Sequence, residues 1–160
     1  MGDRKIPEDS NIGIREGHGM DIPFIYSTWL RSFKTDSAIG KTTRNYVFFN
    51  EYKLVLDRIL ENNDTDLFVA IGHNSPYPIL GYLVVEGDII HYSFVKENFR
   101  RYGIFSQFYH HTGLYHKNTP TFYSHQTNTF KPIAKKMGLT YNPFVLYNNG
   151  IERGTNGSSV

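Results

Sequence analysis

Three β-type runs sit close together in the middle of the chain, at residues 67–71, 79–85 and 89–95, and they restrict the fold more than any other feature. Glu86-Gly87-Asp88 separates the last two. A glycine there accepts the positive φ of a tight turn, so these runs should form an antiparallel hairpin. Apolar residues on either side recur instead at helical spacing: Phe24, Ile25, Trp29, Leu30 and Phe33, then Tyr52, Val55, Leu56, Ile59 and Leu60, and later Ile104, Phe105, Phe108 and Tyr109. A chain that changes period in this way calls for a sheet covered by helices.

The remaining signals complete the order. Ile12 and Ile14 read as a short first strand. Asp21 is expected to cap the first helix, with Pro23 in its first turn, and Trp29 is expected in the core. A polar stretch, 34–44, follows. The second helix should end at Asn62-Asn63-Asp64, and 74–78 reads as a turn. Residues 121–125 read as a strand, 130–137 as a helix closed by Gly138, and 141–147 as a last strand. Lys135 and Lys136 suit the negative end of that helix. The order β-α-α-β-β-β-α-β-α-β predicts an α/β (α+β) fold with a mixed central sheet of six or seven strands and about four helices. One domain is expected over 1–150, with a flexible tail at 151–160.

Composition narrows the function classes. The 160 residues include 12 Tyr and 12 Phe, so rings should build much of the core. There is no Cys, which excludes disulfides, thiolate zinc sites and a cysteine nucleophile. His110 and His111 are adjacent, yet no metal-type spacing is present. A net charge of +2 gives no ground for expecting nucleic acid. No apolar run approaches the roughly 20 residues of a membrane span, and no apolar leader opens the sequence, so a cytoplasmic location is expected.

The most informative segment is 90–108, where a strand leads through Phe99-Arg100-Arg101-Tyr102-Gly103 into a helix. The first N–H groups of a helix lack intrahelical acceptors, and its dipole favours an anion there. Gly103 allows close approach of a ligand, while Arg100 and Arg101 add positive potential. A pyrophosphate suits such a cradle; a plain turn with solvated arginines is the alternative reading.

This segment resembles the acyl-CoA signature of the GNAT superfamily of N-acetyltransferases: Arg or Gln, two variable residues, Gly, one variable residue, then Gly or Ala. The order of elements from Ile12 to Tyr147 is also similar, as is Ile133-Ala134-Lys135-Lys136-Met137-Gly138-Leu139 to the family's final helix. The helix from Phe24 to Phe33 resembles phage-encoded members, which would place the protein in host cytoplasm.

The resemblance implies acetyl-CoA as cosubstrate. Main-chain groups of Ser93, Phe94 and Val95 would bond the pantetheine arm, and the segment Arg100, Arg101, Tyr102, Gly103, Ile104, Phe105 and Ser106 would hold the pyrophosphate. An unidentified amine would attack the acetyl carbonyl directly. His91 is the candidate base; Tyr123 and Tyr141 are candidate acids. Two positions depart from the pattern. Phe105 occupies the second small-residue position, and Ala134 stands where many members place the tyrosine that reprotonates the thiolate. Glu86 and Asp88 read as solvated turn residues, and His125 and Asn128 as hydrogen-bonded structural groups near the cleft. The polar stretch 34–44 corresponds to the acceptor-binding region. The expected function is N-acetyl transfer from acetyl-CoA to a primary amine of a small molecule or protein. The alternatives are a catalytically inactive GNAT-like module that binds a protein partner and, third, a single-stranded nucleic-acid binder. A homodimer is left open.

Overall fold

The structure, a computed structural model, describes residues 12–72, 78–114 and 121–147. Six strands form one mixed sheet in chain order: β1 (Ile12–Glu16), β2 (Thr65–Gly72), β3 (Ile79–Glu86), β4 (Ile89–Val95), β5 (Phe122–Tyr123) and β6 (Thr140–Tyr141). β1 to β4 are antiparallel, with β3 and β4 joined through the turn at Gly87. β5 and β6 then pair in parallel, because helical crossovers return the chain to the same end of the sheet.

Helices cover both faces. α1 (Ile22–Asp36) and α4 (Lys53–Glu61) pack one side, with α2 (Ala38–Thr42), α3 (Asn45–Val47) and a π-helical turn (Phe48–Tyr52) between them. Ile25, Trp29 and Leu56 meet Val69, Tyr82 and Tyr92 on that face. α5 (Ile104–His111) and α6 (Lys131–Met137) cover the other, where Phe105 and Phe108 join Leu83, Ile90, Tyr123 and Phe130. Every residue from Ile79 to Val85 is buried, as a strand sandwiched between two helical layers requires. Among the described residues, no helix is long and apolar enough to cross a membrane.

Several local expectations need correction. Asp21 directly precedes α1 but makes no side-chain bond to the helix. Its buried carboxylate instead accepts both Arg15 terminal nitrogens at 2.8 Å and the His18 N–H at 2.9 Å. A guanidinium fork satisfies a buried carboxylate better than one helix amide can, and it holds the Asp21 pKa below its ordinary value. The polar stretch 34–44, given no element from the sequence, is largely helical: α1 continues to Asp36, and Ser37 Oγ caps α2 by accepting the Gly40 N–H at 2.9 Å. The strand expected over 121–125 pairs only at Phe122–Tyr123. The last strand stops at Tyr141, since Pro143 has no N–H to continue a ladder and 143–147 winds into a 3-10 turn. The turn read at 74–78 lies almost wholly outside the described residues, as does the tail at 151–160.

Candidate active site

β4 and β5 pair only at Ile89–Phe122 and Ile90–Tyr123. The Ser124 N–H still reaches Ile90 O at 3.0 Å, and beyond it the two chains part. β4 nevertheless continues to Val95. The Lys96 N–H bonds Leu80 O at 2.9 Å, so antiparallel alternation turns the main-chain groups of Phe94 towards β3 and those of Ser93 and Val95 towards the open side. The fork opens a cleft of about 530 Å³.

The start of α5 forms one wall. Its first internal bond runs from the Gln107 N–H to Gly103 O, which leaves the N–H groups of Ile104, Phe105 and Ser106 without intrahelical acceptors. Arg101 and Gly103 both have left-handed backbones, with φ of 69° and 74°. For a non-glycine residue this costs about 1–2 kcal/mol, and such strain collects at ligand-binding turns. A Cβ built at Gly103 would meet no atom within 4 Å, so this backbone faces open space. Arg100 Nε donates to Val95 O at 3.0 Å, fixing its guanidinium beside the mouth.

Of the binding residues expected from sequence, Ser93, Phe94, Val95, Arg100, Arg101, Gly103, Ile104, Phe105 and Ser106 line the cleft; Tyr102 does not. The Phe105 ring does not fill it. That ring is buried in the cleft wall, edge-on to Phe130 at 5.1 Å, and shares its packed cluster with Ala134. Both departures from the expected pattern therefore fall in one layer, with ring volume present at one position and small volume at the other.

The residues expected to move protons lie elsewhere. His91 is 3% exposed and lines no part of the cleft, with Nδ1 at 2.7 Å from Ser124 Oγ and Nε2 at 3.1 Å from Glu86 Oε1. Glu86 thus accepts a hydrogen bond from this ring and is not merely a solvated turn residue. Tyr123 is buried and donates to Gln126 Oε1 at 2.8 Å; Tyr141, 44% exposed, packs against Tyr123. Neither lines the cleft.

Sequence reasoning did not single out Ser32, Thr127, Thr129 or Lys136, all of which line it, and covered Asp36 only as part of the acceptor-binding stretch 34–44. Tyr92 also contributes: its ring stacks on Trp29 at 4.6 Å, and its hydroxyl lies 2.6 Å from Ser32 Oγ. Burial pushes the Tyr92 pKa up, so the phenol stays protonated at neutral pH. The Ser32–Tyr92 contact joins a helix to a strand, and no local motif announces it.

A buried polar chain marks the fork itself. Ser124 Oγ lies 2.8 Å from His125 Nδ1 as well as against His91. A carboxylate can only accept, so His91 Nε2 carries a hydrogen towards Glu86, while the directions of the two Ser124 contacts follow the tautomers of His91 and His125. His125 Nε2 is buried with no partner among the described residues. Burial and the neighbouring His91 hold the His125 pKa well below its ordinary value of 6.5. The unfolded chain therefore takes up a proton that the folded chain refuses. Stability should be constant above pH 6.5 and fall below it by about 1.4 kcal/mol per pH unit until the folded pKa is reached. Urea unfolding at pH 7.5 and 5.5 measures this slope, and His125→Phe should flatten it.

No family model matches the sequence, and no curated protein matches it. Solved structures do. A Pyrococcus furiosus protein provisionally assigned as an acetyl transferase superposes with a TM-score of 0.53 at 15% identity, over 91% of this chain and 95% of that one. An aminoglycoside N-acetyltransferase in complex with CoA gives a TM-score of 0.48 at 13% identity, over 84% of this chain and 91% of that one. The first likeness is one of fold: the chain shares with that protein a mixed sheet flanked by helices, as expected from its sequence.

Proposed function

We propose that the protein is an acetyl-CoA-dependent N-acetyltransferase acting on a primary amine. The observation that carries this reading is the β4–β5 fork, which opens beside the uncapped first turn of α5. The residues suit the cosubstrate. Three N–H groups and the positive end of a helix receive a diphosphate, with Arg100 and Arg101 supplying charge. The outward main-chain groups of Ser93 and Val95 receive an amide-bearing arm as an added strand would be received. Acetyl-CoA, when bound, would supply an activated acetyl group: a C–N bond forms from the neutral amine as the C–S bond breaks, the nitrogen gives one proton to solvent, and the released thiolate takes one from solvent. The chain contributes positioning.

His91, Tyr123 and Tyr141 are not given proton-transfer roles in this reading, because none of them lines the cleft. That same observation favours a second reading, a GNAT-like module that binds a protein partner without catalysis. Calorimetry with acetyl-CoA tests the first reading. Micromolar binding supports it, and no heat at millimolar ligand rejects it. Thiol release in the presence of amines then separates the transferase from the inert module.

A further inference from the structure

The cleft is electrically two-ended. Arg100, Arg101 and Lys136 are its cationic side chains, and among its described lining residues Asp36 is the one carboxylate. Helix dipoles reinforce the division. The N-terminus of α5 meets the cleft beside Gly103, whereas Asp36 is the last residue of α1, where main-chain carbonyls concentrate negative potential. Val95 and Tyr92 mark the two ends along β4, separated by about 10 Å of extended strand.

Asp36 is also held in place. Its Oδ2 accepts the Thr129 N–H at 2.9 Å, and its main-chain carbonyl accepts the Asn128 N–H at 2.9 Å. No partner for Oδ1 occurs among the described residues. The carboxylate thus ties α1 to the 127–130 turn, which supplies Thr127, Thr129 and Phe130 to the opposite wall. Ser32 lies one helical turn before it on the same face, bonded to the Tyr92 hydroxyl.

We infer that Asp36 is the acceptor anchor: it binds the incoming amine as an alkylammonium, with the Ser32–Tyr92 hydroxyl pair beside it, and so selects cationic over neutral acceptors; the nitrogen that attacks first gives up a proton to solvent and leaves the carboxylate as the free amine. This rests on the transferase reading and deepens it. The donor's negative charge sits at the α5 end, the acceptor's positive charge at the α1 end, and the acetyl group between them along β4.

Calorimetric titration of 1,4-diaminobutane and n-butylamine into the CoA-saturated protein, with n-butanol as the neutral counterpart, tests the assignment. The wild type should bind both amines and ignore the alcohol. Asp36→Asn keeps an oxygen for the Thr129 N–H, so its melting temperature and CoA affinity should be unchanged while amine affinity falls roughly 10- to 100-fold. Asp36→Glu should recover part of the loss. Failure of the wild type to bind CoA would reject the underlying reading. CoA binding with no amine binding, or amine binding untouched by Asp36→Asn, would overturn the anchor alone.

Discussion

Replacing Ser106 by Asp should strengthen the fold and weaken the ligand site in the same molecule. Ser106 occupies the third position of α5, partly exposed and facing the cleft. A carboxylate there suits the positive helix end and should add about 0.3–1 kcal/mol of stability, raising the melting temperature by about 1–3 °C. The same charge would face an incoming diphosphate. Like charges brought together in a desolvated site cost several kcal/mol, so acetyl-CoA affinity should fall about a hundred-fold or more. General damage to the structure cannot produce these opposite signs. Differential scanning calorimetry and ligand titration on one preparation provide both readouts. A raised melting temperature with unaltered affinity would move the diphosphate away from α5.

Removing the Trp29 ring should produce the largest loss of stability. Trp29 is fully buried, lies flat on Tyr92, meets the His125 ring edge-on at 5.3 Å and donates its indole N–H to the Tyr52 hydroxyl at 2.9 Å. Trp29→Ala opens a cavity and leaves that buried hydroxyl without its donor. Large-to-small changes of this kind cost about 3–5 kcal/mol, against a total of about 8–24 kcal/mol for a chain of this length. Trp29→Phe keeps most of the packing and removes the hydrogen bond, for a cost of about 1–2 kcal/mol. Urea denaturation of the two variants separates ring volume from the polar contact. Equal losses would show that the bond to Tyr52, not the ring, carries the effect.

The sequence disclosed whatever was local and periodic. The hairpin of β3 and β4 followed from Glu86-Gly87-Asp88 between two apolar runs, and the α5 cradle from a strand, two arginines and a glycine before a helix. Both were readable because a few consecutive residues determine them. The polar wall of the cleft was not. Asp36 and Ser32 sit on one helix, Tyr92 on a strand and Thr129 in a turn after β5, so their meeting depends on how α1 crosses the sheet. Asp21 misled for a related reason: a cap and a buried ion pair use the same residue type, and only the arrival of Arg15 from β1 decides between them. His91 was expected at the reaction centre from its place on the fourth strand and from the family resemblance. Its ring instead reaches Glu86 and Ser124, a placement that no pattern of spacing encodes.

Arg100 gives the open margin of β4 a directional preference. By occupying one lone pair of the Val95 oxygen with a charged donor, it weakens that oxygen as an acceptor and leaves the N–H as the stronger handle for a visitor lying alongside. A linear guest that offers a carbonyl at this position is favoured, and one whose amide runs in the reverse sense would crowd its N–H against the Arg100 donor. Retro-amide analogues of the pantetheine chain should accordingly bind more weakly even when their length and charge are correct.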